Sequence, residues 1–354
     1  MKPPRPDGTR AVTMRQVAEA AKVSISTVSL VINNKVGARI GDDARRRVQQ
    51  AIEELGYRPN ALAKDLVSGR SRFIGLVADA IATTPFAGQI IHGAQDEAWR
   101  HGFVLLVANT EGNEDAEREA LAMMLEHKVR GILYSTWYHR QVDLPTGLTE
   151  ADCVLVNCFS TSDVPAVVPD EETGGHDATT MLIEQGHRRI GFLNTTTPSP
   201  AHDGRLAGYR RALAEAAIAF DPDLVIDVQP DQEGGYAAVP ALLRQGVSGV
   251  FCHNDRVAMG LYDGVREAGV AVPADLAVVG FDNQEVIAAH LRPPLSTVAL
   301  PHYELGQAGV RVLLGLDEVG DDGRLTVACP PVPRGSVAGL RPGVIAEPSP
   351  GAAR

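Results

Sequence analysis

From residue 73 onward the sequence repeats one pattern, in which a short apolar run rich in β-branched residues is followed by a stretch with helical periodicity. The runs that resemble strands are FIGLVA, FVLLVAN, GILY, CVLVNC, RIGFLN, GVFC and LAVVGF. Short buried strands that alternate with helices predict parallel sheets with helices on both faces. A span of about 270 residues accommodates two such sheets. We therefore predict an α/β core of two doubly wound lobes over residues 73–342.

Charge is divided unevenly along the chain, whose net charge is −11. Residues 1–72 contain 14 Lys and Arg against 7 Asp and Glu, a net of +7. Residues 73–354 contain 19 against 37, a net of −18. A basic head on an acidic body is expected when only the head meets phosphate, so the charge favours nucleic acid as the partner of the head.

The basic segment predicts three helices, with a tight turn between the first two. Thr13 and Gln16 fit a capping box at the start of the first helix, and Ser24 can cap the second. The third helix opens at Gly41 with acidic residues in its first turn and stops at Gly56. Two short helices joined tightly and buried by a third form a helix-turn-helix, which we predict over residues 12–57.

The second helix is rich in hydroxyl groups. Over Ile25 to about Asn33 its valines fall on one side, while Ser26, Thr27 and Ser29 fall largely on the other. Short hydroxyl side chains can bond phosphate oxygens or base edges at close approach in a major groove. The alternative that the pattern leaves open is a polar helix on a small capping subdomain.

A short segment over residues 58–72 follows, with the sequence RPNALAKDLVSGRSR. Asn60 can cap a helix from Ala61 to Val67 that is too short to be stable by itself. It can fold when two copies pack together on DNA, with one leucine wedged between base steps. A flexible solvated linker is the alternative.

Several motifs, taken in order, resemble the LacI/GalR family of bacterial transcriptional regulators. TMRQVAEAAKVSISTVSLVIN is similar to the family's head motif and ELGYRPNALAKDL to its hinge, while GHRRIGFL, NDRVAMG, VVGFDN and PPLSTV are similar to its core signatures. The resemblance covers about residues 12–340. It implies a DNA-binding head, a hinge helix, and a core of two lobes of periplasmic-binding-protein type that close on a small effector.

The resemblance also implies roles for single residues. Leu66 falls at the hinge leucine that intercalates, with Lys64 beside it, while Ile25 and Ser26 fall at positions that choose bases. Leu30 stands where the family usually has Arg, so the operator need not follow the family norm. The predicted DNA-contacting residues are Thr13, Ser24, Ile25, Ser26, Thr27, Ser29, Asn33, Tyr57, Asn60, Ala63, Lys64 and Leu66.

Polar residues at strand ends predict the effector site, because ligands of such sheets gather at the carboxyl ends of the strands. The forked donor of Arg205 and the carboxylate of Asp282 can grip vicinal hydroxyls, and Phe86 or Trp137 can stack on a sugar face. The predicted effector-binding residues are Thr84, Phe86, Trp137, Asn157, Arg205, Asn254 and Asp282. The resemblance supports Arg205, Asn254 and Asp282.

Structural roles for the same residues stay open. Asn254 and Asp282 fit helix or turn caps, and Trp137 fits the core. Asn157 stands where a sugar-binding relative often has Asp, and Ala201 lacks a hydroxyl that some relatives have. These departures leave the identity of the ligand open.

The sequence predicts no catalytic residue, metal site or cofactor. It has no G-x-S-x-G, H-E-x-x-H or P-loop motif, and its four cysteines lack a CxxC pair and fit buried thiols in a reducing cytosol. We expect no signal peptide and no membrane span, because no apolar segment of sufficient length occurs.

These features together predict a cytoplasmic, homodimeric transcriptional repressor. It would bind a near-palindromic operator in double-stranded DNA and respond to a sugar held between its lobes. The alternatives are a nucleoside or purine co-repressor as effector, a sugar-binding transport protein, or an enzyme built on a sugar-binding fold. Residues 343–354 are expected to form a loose tail.

Overall fold

The computed structural model describes residues 12–32, 40–57, 71–81, 84 and 87–339. The chain divides into two compact units, with the boundary between Ser71 and Arg72. Within the described ranges, no helix combines the length and the apolar character that crossing a bilayer requires.

The first unit is a three-helix head, composed of α1 (Met14–Ala21), α2 (Ile25–Ile32) and α3 (Asp42–Leu55). The capping box of Thr13 with Gln16 is present, and Ser24 Oγ accepts a hydrogen bond from Thr27 N at 3.1 Å. Gly56 ends α3 with a left-handed φ of 63°. Side chains from all three helices form one apolar core: Val17, Ala18, Ala21, Val28, Val31, Val48, Ala51 and Tyr57.

The second unit alternates strands and helices along most of its length. Its strands are β1 (Phe73–Ala78), β2 (Val104–Asn109), β3 (Ile132–Gln141), β4 (Cys153–Phe159), β5 (Ala166–Pro169), β6 (Ile190–Thr195), β7 (Val225–Val228), β8 (Gly249–Cys252), β9 (Ala277–Asp282), β10 (Ser296–Ala299), β11 (Arg324–Val327) and β12 (Pro331–Val332). Its helices are α4 (Gly88–Arg100), α5 (Glu114–Glu126), α6 (Glu171–Glu184), α7 (Pro200–Glu215), α8 (Gln232–Ala237), α9 (Val239–Gln245), α10 (Asp255–Glu267), α11 (Glu285–Ala288) and α12 (His302–Leu313).

These strands form two six-stranded sheets, one in each lobe. The first sheet has the order β11-β5-β4-β3-β1-β2 and is parallel throughout. The second has the order β12-β10-β9-β8-β6-β7, with only β12 antiparallel to its neighbour. Each sheet has an apolar core on both faces, so the predicted doubly wound lobes are confirmed.

The chain passes between the lobes three times. It leaves the first sheet after β5 and enters α6 through Asp170, which caps that helix by accepting a hydrogen bond from Thr173 N at 2.9 Å. It returns from β10 to α12 through Leu300 and Pro301, and passes again from β11 to β12. These crossings surround the space between the two sheets.

Strands of six residues or more were easier to predict from sequence than shorter ones. The predicted runs coincide closely with β1, β2, β4, β6, β8 and β9, whereas β3 extends beyond the predicted GILY to Gln141. The strands β5, β7, β10, β11 and β12 have at most four residues each and were not predicted. A run of that length carries too little periodicity to distinguish a strand from a loop.

Two glycines bring α6 and α7 into backbone contact. A Cβ added at Gly175 would lie 2.5 Å from the carbonyl oxygen of Arg205, and one added at Gly208 would overlap the carbonyl oxygen of Glu172. This close approach places the side chain of Arg205 against Glu171, the first residue of α6. Gly175 and Gly208 therefore allow the close packing of α6 against α7.

We expect Gly208→Ala to destabilise the core by about 1–3 kcal/mol, because the added methyl group must push α7 away from α6. Urea unfolding of the purified chain measures the change. Gly88→Ala is the matched control, since within the described part of the chain a Cβ there comes near only Ile81 O, at 3.9 Å. Equal stability losses for the two variants would contradict the packing argument.

Candidate functional site

The head presents a small face on the N-terminal half of α2. Ser24, Ile25 and Ser26 are exposed, and the side chain of Ile25 is 46% accessible although it is apolar. Thr27 and Ser29 are half-buried beside them. An exposed apolar side chain among hydroxyl groups suits contact with base edges and phosphate oxygens.

The other predicted DNA-contacting residues fall into three groups. Thr13 is exposed and caps α1, and its contact with DNA stays a prediction. Tyr57 is only 8% exposed and packs in the core of the head, so packing is the role that the structure gives it. Asn33, Asn60, Ala63, Lys64 and Leu66 lie outside the described residues, and their contacts stay predictions.

A cavity of about 220 Å³ lies between the two lobes. The first lobe contributes the end of β3, and the second contributes the ends of β6, β8 and β9 and the start of α7. The lining includes four predicted residues, Trp137, Arg205, Asn254 and Asp282, together with Tyr138, His139, Glu171, Thr195, Thr197, Ser199, Ala201, Pro230, His253, Arg256 and Leu300.

Arg205 is the centre of the cavity wall and is only 3% exposed. Its Nε donates to Glu171 Oε2 at 2.8 Å, and its Nη1 donates to the carbonyl oxygen of His253. Its Nη2 lies 3.8 Å from Asp282 Oδ1, and its guanidinium stacks 3.7 Å from the centre of the Phe281 ring. A buried guanidinium needs such partners, because removing one leaves an uncompensated charge.

The carboxylates around Arg205 differ in their titration. Burial by itself raises the pKa of Glu171, but the charge of Arg205 and the neighbouring His139 outweigh it and lower that pKa to about 2. Burial raises the pKa of Asp282 despite Arg205. Burial also lowers the pKa of His253 well below its usual value, with Arg205 adding to the effect, so that imidazole is neutral.

Asn254 uses its whole amide in structural contacts. Its Oδ1 accepts from Val257 N at 2.9 Å, which caps α10, and its Nδ2 donates to the carbonyl oxygen of Pro230 at 3.1 Å. The side chain lines the cavity while holding two elements together. Helix capping, the alternative role considered for this residue, is therefore present.

The end of β3 is irregular, and this irregularity carries Trp137 into the cavity. Register with β4 shifts between Ser135 and Arg140. The buried carboxylate of Asp79 accepts from Trp137 N at 3.0 Å and pairs with Arg140 Nη2 at 3.2 Å. Asn157 supports the same turn from β4, since its Nδ2 donates to Thr136 O at 3.0 Å.

Two predicted effector-binding residues, Asn157 and Thr84, are not among the described residues that line the cavity. Asn157 is fully buried, has a left-handed φ of 60° and is not among the lining residues. Thr84 lies in a neighbouring groove that shares Asp282 and Leu300 with the cavity, and its hydroxyl donates to Ala80 O at 2.8 Å. Phe86 lies outside the described residues.

Glu171 and His139 line the cavity but were not predicted from sequence. Glu171 follows β5, and a four-residue strand that ends in proline gave no sign that the next residues reach a strand end. His139 follows the predicted run GILY by several residues, because β3 continues through an irregularity. The cluster of aromatic residues WYH was the available signal.

The geometry defines a class of protein: a helix-turn-helix head joined in one chain to a two-lobed receptor with a small cavity between its lobes. Residues 13–60 match the family described as "Bacterial regulatory proteins, lacI family", and residues 179–337 match the family described as "Periplasmic binding protein-like domain". The chain belongs to the LacI family, and it is a transcriptional regulator of that family.

Three relatives illustrate the match. The ribose operon repressor of Haemophilus influenzae is 33% identical over 85% of this chain and 91% of its own length. The repressor PurR of Photobacterium profundum is 32% identical over the same shares. A solved structure of the regulator CelR with cellobiose superposes with a TM-score of 0.63 at 29% identity, covering 92% of this chain and 99% of that one.

We expect the core to lose stability as pH falls from 6.5 towards 4, because His302, the first residue of α12, is buried. Burial lowers its pKa from 6.5 to about 4, so the unfolded chain binds more protons in this window. The full loss is on the order of 3 kcal/mol. Urea unfolding at several pH values gives the free energy of unfolding as a function of pH. We expect this free energy to fall less steeply with decreasing pH for His302→Gln than for the natural chain. Equal pH dependence in the two proteins would contradict the role of His302.

Proposed function

We propose that this regulator is a repressor that reads operator DNA through α2 and adjusts its operator affinity to a sugar bound between its lobes. The observation that carries the proposal is the cavity around Arg205, whose cation is already compensated by Glu171 and Asp282. The protein would act in the cytoplasm, where bacterial DNA is transcribed, as a receptor without catalytic activity.

The proposed DNA contacts begin with the exposed start of α2. Ile25 can contact a thymine methyl group, and Ser26 can bond to a base edge of either type. Lys64 and Leu66, with Asn60 and Ala63, would add minor-groove contacts from paired hinge helices. A homodimer on a near-palindromic site is proposed because the two-fold symmetry of the operator must match that of the protein.

The cavity suits an uncharged ligand rich in hydroxyl groups. The charges of Arg205 and Glu171 are already paired with each other, so a charged ligand finds no uncompensated partner beside them. Trp137 and Tyr138 offer aromatic surface to the apolar face of a sugar ring. The volume lies below the roughly 300–1,000 Å³ typical of sites for drug-sized ligands, which favours a monosaccharide.

A purine or nucleoside is the second candidate. The same aromatic pair can stack on a nucleobase, and the relative PurR shares this architecture. The neutral imidazole of His253 distinguishes the two candidates: if its Nδ1 donates to Asn194 Oδ1 across 3.2 Å, its Nε2 is left as an acceptor. Acceptors on the protein call for many ligand donors, which a polyol supplies more readily than a purine.

Control of DNA binding would follow from the way the lobes are joined. A ligand that contacts β3 in one lobe and α7 in the other favours one relative arrangement of the lobes, and three crossings transmit this change through the core. Couplings of this kind are typically about 1–3 kcal/mol and act equally in both directions. Measuring operator affinity with and without the ligand determines whether it induces or co-represses.

We expect Ser26→Asp to reduce operator affinity at least about tenfold, because it places a carboxylate where the phosphate-rich groove must approach. Fragments selected from random DNA by the natural protein provide the operator for a gel-shift titration. Ser162→Asp, which adds the same charge to an exposed loop of the core, is the control. Unchanged affinity for Ser26→Asp would remove α2 as the reading helix.

We expect at least one monosaccharide to bind with a single-site isotherm and to change operator affinity. Calorimetry against D-ribose, D-glucose, D-galactose, D-fructose, hypoxanthine and guanine tests this directly. Saturable binding of a purine without any response to sugars would replace the sugar hypothesis by the co-repressor alternative.

A further inference from the structure

Two polar side chains face each other across the cavity from different lobes. His139 lies near the end of β3 in the first lobe, and Glu171 is the first residue of α6 in the second. Their exposed fractions are 7% and 4%, so both are buried in the cavity wall. His139 Nδ1 lies 3.5 Å from Glu171 Oε1, which is longer than a good hydrogen bond.

The hydrogen-bonding capacity of this pair is incompletely used. Glu171 Oε2 accepts from Arg205 Nε, but Oε1 has no hydrogen-bond partner among the described residues. Both ring nitrogens of His139 also lack one among the described residues. Buried polar atoms are almost always hydrogen-bonded, so three such atoms at one place in a cavity wall indicate a ligand position.

The two side chains are held in place by groups outside this position. Arg205 fixes Glu171 through the other carboxylate oxygen, and the His139 ring packs edge-on against Phe159 with ring centres 5.8 Å apart. The adjoining turn of β3 is tied by Asp79 to Trp137 N. The site is therefore organised by the fold and not by contact between His139 and Glu171.

We propose that His139 and Glu171 form a hydroxyl-selective subsite, in which one ligand hydroxyl bridges the two lobes. The oxygen of that hydroxyl accepts from an imidazole N–H, and its proton is donated to Glu171 Oε1. The inference rests on the proposed function, since it takes the cavity to be the effector site. It names the two residues that would set which sugar, among similar sugars, is accepted.

The chemistry of the pair excludes other groups at this position. Carboxylate or phosphate groups in their ionised form have no proton to donate to Oε1 and would be repelled by the Glu171 carboxylate. A nucleobase N–H can donate to Oε1, but the same atom cannot accept from His139. A hydroxyl group performs both tasks with one atom, which would lie beside the line that joins His139 Nδ1 and Glu171 Oε1, within hydrogen-bond distance of both.

The subsite also links recognition to the arrangement of the lobes. Arg205 and Asp282 both belong to the second lobe, so contacts to them alone leave the first lobe unconstrained. A hydroxyl held by His139 and Glu171 is bonded to both lobes at once. A sugar without that hydroxyl would bind more weakly and would also hold the lobes together less firmly.

The test compares three variants by calorimetry with monosaccharide probes. His139→Phe removes both ring nitrogens while keeping the Arg205–Glu171 ion pair, and Glu171→Gln removes the anionic acceptor. Glu172→Gln is the matched control, because Glu172 is the next residue of α6 and pairs with Arg211 away from the cavity. The probes are D-ribose, D-glucose and D-galactose, each with its set of monodeoxy analogues, and thermal unfolding checks that each variant is folded.

For a sugar that the natural protein binds, we expect His139→Phe and Glu171→Gln to lower affinity at least about tenfold, the effect of losing a hydrogen bond to a charged group. One monodeoxy analogue should bind the natural protein and His139→Phe equally, because it lacks the bridging hydroxyl. Glu172→Gln should bind every probe as the natural protein does.

Each other result overturns the inference in a distinguishable way. If a sugar binds the natural protein and His139→Phe with equal affinity, the subsite is wrong while the proposed function stands. If His139→Phe weakens the parent sugar and every deoxy analogue by the same factor, His139 acts only through the shape of the cavity. If no probe binds the natural protein, the proposed sugar response and the subsite fall together.

Discussion

The buried charge of Arg205 is the constraint on which the receptor depends. The cation lies between two lobes, and its partners come from the start of α6, the carbonyl oxygen that follows β8, and the end of β9. These groups meet only because Gly175 and Gly208 let α6 and α7 approach to backbone contact. Desolvating a guanidinium is expensive, so its compensating carboxylates must persist whether or not a ligand is bound. The cavity is therefore close to neutral before any effector enters, which restricts the effector more than its shape does.

The sequence allowed the fold to be predicted where long apolar runs repeat, and it allowed Asn254 and Asp282 to be placed at the ends of strands and Arg205 in the helix that follows β6. It failed for every strand of four residues or fewer except β8, and this failure concealed Glu171, which follows β5. His139 was missed for a different reason, since β3 continues through a register shift that no periodicity predicts. Tyr57 shows a different limit, because tertiary packing places its ring in the core of the head while its contact with DNA stays a prediction.

Three residues at or beside the cavity have irregular backbone. Asn157, Asp282 and Asn283 have φ values of 60°, 98° and 53°, a region that most residues with side chains avoid. Such conformations persist only where surrounding contacts determine them, and they are often found at binding sites. Asn157 was predicted as a ligand contact. Its amide donates to Thr136 O and thereby supports the turn that contains residues 137–139. Its contribution to recognition would be made through the position of its neighbours.

The residues of the cavity differ in how many of their polar atoms are already bonded within the protein. Asn254 bonds through both atoms of its amide, and Arg205 is shared among three partners, so these residues can shape the cavity without discriminating between ligands. A ligand is distinguished from a close analogue only by protein atoms whose bonding changes when it binds. In the described part of the cavity wall, His139 and Glu171 Oε1 meet that requirement. Conservation of the arginine scaffold and variation at the cross-lobe pair would let one architecture serve regulators of different sugars.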